Sequence, residues 1–287
     1  MVLSLRNCLP CLLVVLGAPV VAQVALVAQV ADAPPPEPTP ASGRAVANAW
    51  DGALGLTASL RPQYPGSPKR GFKAAPGFYF RYGRFVVTNA SGFSARRTED
   101  VVRGLGVEML RSEDVRMSLS LRYDGGRSEN STPAYAGLGN IRSTVRARLA
   151  ASWKLRGPYS LGASWNEDAL GRGNGGVGDV SASWEHRLTP DSLLTLNTSL
   201  SLADGRYMQA YYGVTDAQSQ RSGYAPYKTS AGLRDVGLYA GLRHDFGPGW
   251  IALAGASATR LMGSAGASPI TRDRKGFGVS AGLARQF

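Results

Sequence analysis

Residues 276–287, G-F-G-V-S-A-G-L-A-R-Q-F, constrain the fold more than any other stretch. Side chains of a β-strand alternate between two faces. On that rule Phe277, Val279, Ala281, Leu283 and Phe287 share one face, and Gly278, Ser280, Gly282, Ala284 and Gln286 share the other; Arg285 alone breaks the pattern. An apolar outer face, a small and polar inner face and a terminal aromatic are expected of the closing strand of a transmembrane β-barrel. A half-buried sandwich strand would look similar, so the remaining segments carry the choice.

Composition narrows it. Hydrophobic residues make up 44% and charged residues 18%, and the two are interleaved, as strands with lipid on one face and water on the other require. After the N-terminal region no run of about 18 apolar residues occurs, which excludes a helical membrane protein by length. Residues 1–22 place Arg6 ahead of an apolar run ending in the small residues Val20 and Ala22, the pattern of a cleaved secretory signal peptide. An uncleaved anchor reaching Ala31 is the alternative, and Pro19, Gln23 and Gln29 interrupt it. Cys8 and Cys11 fall inside that signal, so the mature chain carries no cysteine and no disulfide. Residues 23–49 are rich in proline and alanine, with 33–48 expected to form an extended periplasmic lead-in.

From Trp50 the alternation recurs in about twelve segments: the first strand, then 76–82, 84–90, 101–110, 115–123, 141–155, 159–168, 177–188, 192–202, 229–246, 250–261 and the last strand. The connections between them run long, short, long, short without exception. Transmembrane barrels have that asymmetry, with short periplasmic turns, longer outer loops and an even strand count. The expectation is an all-β, antiparallel, up-and-down barrel over residues 50–287 with twelve strands, ten being the alternative, in the outer membrane of a Gram-negative cell. Trp50, Trp153, Trp165, Trp184, Trp250, Tyr123 and Tyr159 lie near predicted strand ends, where aromatic girdles sit.

The net charge of +12 calls for anionic surroundings. No recognition helix or RNA-stacking motif is present, so nucleic acid is not expected; lipopolysaccharide phosphates are. Lys69, Arg70, Lys73, Arg96, Arg97, Arg172, Arg272, Arg274 and Lys275 fall in predicted outer loops. On the predicted strand 141–155, Arg142, Arg146, Arg148 and Lys154 share the inward parity and form a candidate basic row, joined by Arg116, Arg122 and Arg243. Such a row favours anion passage, unless lumen acids such as Glu185 and Asp245 neutralise it.

Enzymatic chemistry finds little footing. His186 and His244 precede predicted short turns, and parity groups them with Trp184 and Leu188 and with Leu242 and Phe246. They are expected at a lipid-facing periplasmic interface, away from any serine at the outer rim. No histidine pair has ligand spacing, and Asp124, Asp179, Asp204 and Asp216 stand among turn residues, so no metal, cofactor or catalytic residue is assigned. The glycine-rich run 171–176 lacks the strand–loop–helix context of a phosphate cradle and is expected to be a mobile outer loop.

Seven short segments occur in a characteristic order: Q-Y-P-G-S with Tyr64, Pro65, Gly66 and Ser67; G-L-G-N-I at 137–141; Y-M-Q-A-Y-Y-G-V with Tyr207, Met208, Tyr212, Gly213 and Val214; S-G-Y at 222–224; G-L-R-D-V at 232–236; R-L-M-G at 260–263; and S-P-I with Ser268 and Pro269. In this order they resemble the MipA/OmpV family of outer-membrane proteins, whose founding member is named for interacting with a murein-degrading lytic transglycosylase. The resemblance implies a non-enzymatic scaffold linking that lytic transglycosylase to a bifunctional penicillin-binding protein in peptidoglycan growth. Other relatives resemble adhesins or surface antigens, and the lumen arginines and outer loops leave a passive pore or a surface-exposed adhesin or antigen as the alternative. An acidic residue is expected of the family where Asn140 stands. Most of these segments fall in predicted outer loops, whereas a murein enzyme would dock on the periplasmic turns and lead-in. Either the loops fold into the lumen, or the function faces outward.

Overall fold

The computed structural model describes residues 50–89 and 104–287. The expected signal peptide, the lead-in, the loop charges Arg96 and Arg97 and the predicted strand start at Val101 lie outside the described residues. Twelve strands follow one another: β1 (Trp50–Pro62), β2 (Arg70–Tyr82), β3 (Phe85–Thr88), β4 (Gly104–Arg111), β5 (Val115–Asp124), β6 (Thr144–Lys154), β7 (Tyr159–Asp168), β8 (Val177–Thr189), β9 (Ser192–Ala203), β10 (Gly232–Asp245), β11 (Trp250–Leu261) and β12 (Lys275–Gln286). Each pairs antiparallel with its sequence neighbours, and β1 pairs with β12, so the sheet closes into a barrel with no free edge. The count is twelve rather than ten. Long and short connections alternate, and the long ones mark the outer end.

The register explains the composition of each face. In the closing seam Gly55 stands opposite Ala284, Thr57 opposite Gly282 and Ser59 opposite Ser280, all inward. Leu54, Leu56, Leu60, Phe277, Val279 and Leu283 are exposed on the other face, where lipid takes the place of water. Aromatic residues cap the strands: Trp50 packs on Tyr82 with ring centroids 4.9 Å apart, and Phe80 lies 6.1 Å from Phe287. Inside, glycine is used where a ring must lie flat on the wall. A Cβ on Gly255 or on Gly241 would come within 2.8 Å of the Tyr239 side chain.

Among the boundaries that differ from the sequence expectation, three strand starts matter most. β2 begins at Arg70, not 76, because Arg70–Ala75 continues the ladder against Thr57–Pro62 and leaves only 63–69 for the turn. β10 begins at Gly232 rather than 229. β6 begins at Thr144, not 141: Ile141 instead bridges Arg127 inside the preceding loop, with both backbone N–H groups donating across the pair at 3.1 and 2.8 Å. Arg142 therefore precedes the strand and is exposed, which removes it from the expected lumen row.

The core lies within the barrel, at its two ends. Near the short turns Ala53, Tyr79, Val86, Ile251 and Ala284 form one buried apolar cluster. Beside it Arg81 makes a two-pronged ion pair with Glu108, both bonds at 2.8 Å, and donates from Nε to the Tyr79 hydroxyl at 2.7 Å. The other two clusters fill the outer mouth.

Candidate functional site

The outer mouth is closed over by loops that carry their own helices: a 3-10 turn at Pro133–Tyr135, α1 (Gly205–Tyr212), α2 (Asp216–Ser222) and α3 (Gly263–Ala267). α1 starts at Asp204, whose Oδ1 accepts the Tyr207 N–H at 2.7 Å as an N-cap. The same carboxylate accepts the Gly176 N–H at 2.9 Å through Oδ2, so one side chain ties the β7–β8 loop to the helix start. Gly175 sits against that start with φ of 61°, and a Cβ there would lie 2.2 Å from the Tyr207 nitrogen. Only glycine fits such a close approach in that conformation. The run 171–176 is thus no mobile loop at its second half: Asn174, Gly175 and Gly176 are buried.

Below α1, Met208 and Tyr212 pack with Ala265 of α3 onto Val177, Ala203 and Leu261, which are inward residues at the outer ends of β8, β9 and β11. Next to them Tyr64, Ala134, Leu138, Val214 and Ile270 form a second apolar cluster, flanked by Tyr135, Tyr224 and Tyr227. The motif segments, far apart in sequence, meet here. Ser268 donates from Oγ to the Tyr212 carbonyl at 2.6 Å. The Gly66 carbonyl accepts N–H bonds from Arg272 and Asp273 at 2.9 and 3.0 Å. Ser67 closes its own turn by donating from Oγ to the Lys69 carbonyl at 2.9 Å. Gly213 is buried against Gln209, whose side chain would collide with any Cβ. Pro65 is exposed and Pro269 half-buried. Asn140 accepts the Glu129 N–H at 2.9 Å through Oδ1, a bond that the acidic residue expected of the family would make equally.

A charged layer underlies the apolar cap. Arg146 of β6 donates from Nε to Asp124 at 2.6 Å and from Nη1 to the Gly175 carbonyl at 2.8 Å. Arg234 of β10 pairs with Asp235 at 2.5 Å and donates to the Tyr207 hydroxyl at 3.0 Å. Both guanidinium groups lie over the Tyr207 ring, at 5.4 and 5.6 Å. Thr144 donates its hydroxyl to Asp168, and Asn174 adds its backbone N–H at 3.0 Å. Burial pushes the Tyr64, Tyr135 and Tyr212 hydroxyls up from the usual phenol range, and Tyr211 is pushed up to about 12, chiefly by burial and then by Asp124. These tyrosines are neutral at physiological pH, and Tyr211 donates its hydroxyl to Asp124 at 3.4 Å.

The expected basic row does not run as one stripe. Arg146 belongs to the outer charged layer, Arg148 is half-buried and Lys154 is exposed at the opposite, short-turn end. Arg243 pairs with Asp245 at 2.8 Å two residues along its own strand. On β11 Ser257 and Thr259 face inward and are exposed, so part of the lumen wall is open to solvent. Among the outer cations, Lys69, Arg70, Lys73, Arg172, Arg272, Arg274 and Lys275 are exposed.

His186 stacks on Trp184 at 5.3 Å and His244 meets Phe246 edge-on at 4.5 Å, both on the lipid-facing parity next to short turns. Sequence reasoning missed that Ser192 and His244 are cross-strand partners joined by an Oγ–Nδ1 hydrogen bond of 2.9 Å. It also missed the Arg81–Glu108 pair, although both residues have inward parity. Among the described residues no cluster of three or more metal-ligating side chains occurs.

No curated protein matches the chain. Among solved structures it is similar to the translocator domain of the autotransporter NalP from Neisseria meningitidis, at 11% identity over 83% of this chain and 88% of that one, with a TM-score of 0.43. It is also similar to an outer-membrane channel from Pseudomonas putida F1, at 13% identity over 84% and 96% with a TM-score of 0.39, and to the channel DcaP of Acinetobacter baumannii, at 8% over 83% and 96% with 0.38. A family model described as MltA-interacting protein MipA matches residues 54–287, which take in nearly the whole barrel and every segment of the outer cap. The chain is therefore an outer-membrane β-barrel protein that belongs to the MltA-interacting protein MipA family.

Proposed function

We propose that this protein is a non-enzymatic scaffold of the outer membrane, exported by a cleaved signal peptide, that links a murein lytic transglycosylase to a bifunctional penicillin-binding protein in peptidoglycan growth. The observation that carries the reading is the use made of the motif segments. Tyr64, Met208, Tyr212, Val214 and Ser268 are packed against one another in the outer cap, so the features that define the family support a stable, covered barrel rather than an outward catalytic surface. The family description, a protein that interacts with MltA, supplies the partner class. The docking surface then lies on the short turns and the lead-in. A second reading, a conducting pore, is favoured by the exposed inner residues Ser257 and Thr259. The exposed outer cations suit lipopolysaccharide phosphates under either reading.

The test is affinity purification in mild detergent from the native envelope, probed for the lytic transglycosylase and the penicillin-binding protein. The full mature chain is expected to retain both, and a chain lacking residues 33–48 to retain less. Absence of both enzymes, together with steady single-channel conductance in planar bilayers, would replace the scaffold with the pore.

A further inference from the structure

We infer that Arg127, in the loop between β5 and β6, is a binding site for a small organic carboxylate at the rim of the barrel mouth. Its backbone is fixed by the paired bonds to Ile141, and Gly126 before it has φ of 69°, with room for no Cβ against the Ile141 carbonyl. The side chain turns into the tyrosine cluster, and the residue is only 7% exposed. Nη1 donates to the Tyr211 carbonyl at a long 3.3 Å, and the guanidinium carbon lies 4.8 Å from the centre of the Tyr135 ring. Nε is buried and meets no acceptor.

The other buried arginines are neutralised, Arg81 by Glu108 and Arg146 by Asp124, and half-buried Arg234 is paired with Asp235. Arg127 has no carboxylate partner among the described residues. Burial lowers its affinity for the proton, yet a guanidinium stays charged in a protein, so the site holds an uncompensated cation. A buried charge is normally paired, and the Nε edge of a guanidinium, here left without an acceptor, is the fork that receives both oxygens of a carboxylate. One uncompensated positive charge matches a carboxylate better than a phosphate dianion. Beside the fork stand Tyr135, which packs on Tyr64 at 4.8 Å, and Tyr211, whose carbonyl Arg127 touches; both are half-buried. They offer flat apolar surface for the body of the acid and neutral hydroxyls that do not repel it.

The experiment is calorimetric titration of the purified, folded barrel in detergent with sodium benzoate, at an ionic strength held constant with sodium chloride, and a parallel titration with glucuronate. Saturable benzoate binding is expected, lost in Arg127→Met and weakened roughly tenfold or more in Arg127→Lys, which keeps the charge but not the fork. Tighter binding of glucuronate than of benzoate would assign the same fork to a sugar acid of a surface glycan, and tighter benzoate to a free aromatic acid. Folding of each variant is read from its heat-modifiable mobility in gels. If Arg127→Met does not fold, Arg127→Lys carries the comparison. Absence of saturable binding of either acid to the wild type, or undiminished affinity in a folded variant, overturns the proposal.

Discussion

Single side chains at the two ends of the lumen have unequal consequences. Glu108 is buried and holds both prongs of Arg81. Glu108→Ala would leave that guanidinium buried without its partner, and removing one member of a buried pair costs about 3–5 kcal/mol. The expected outcome is a lower urea midpoint for unfolding, followed by the loss of heat-modifiable mobility; an unchanged midpoint would mean that water already reaches the pair. Parity could place Arg81 and Glu108 inside, but not opposite one another, because β3 lies between their strands. Arg142 illustrates the converse error. Its parity with Arg146 holds only if the strand continues, and the ladder stops at Thr144 where the loop makes its own bridge.

At the scale of elements, the strands were legible because a period of two is written locally and each face meets a uniform medium. The cap helices were not. α1 rests on a carboxylate cap and on the β7–β8 loop, which reaches it through Gly175 and Gly176, contacts between residues 28 positions apart. Composition alone reads that glycine-rich run as slack, whereas its glycines are there to permit close approach. Gly175→Ala is expected to cost about 1–3 kcal/mol from the left-handed backbone alone, with the collision against Tyr207 added. Protease cleavage between β9 and β10 should accelerate, while the strand signal in circular dichroism is retained; equal cleavage rates would show that α1 does not depend on this packing.

For the molecule as a whole, wall and cap are held by different forces, and alkali separates them. Tyr64, Tyr135, Tyr211 and Tyr212 of the cap are stabilised in the neutral form, with Tyr211 pushed up to about 12. An unfolded tyrosine titrates near ~10. A group whose folded value is raised stabilises fully below the unfolded value, and the contribution is lost as pH rises through the folded one. Cap stability is therefore expected to be whole below about pH 10 and to decline as pH rises toward about 12. Tyrosinate absorbance and loop proteolysis should rise together over that window while the barrel's ladder persists. Ionisation of the tyrosines without increased proteolysis would refute the link.

The first and last outer loops are stitched together above the first and last strands of the barrel. Gly66, just after β1, receives two backbone bonds from Arg272 and Asp273, just before β12, and Tyr64 shares a cluster with Ile270. β1 and β12 are the pair that closes the cylinder. These contacts span almost the full described chain, so they belong among the last to form during folding. The stitch acts as a record of closure: an intermediate whose seam is still open leaves Tyr64 and Ile270 uncovered, and only a completed cylinder can hide them.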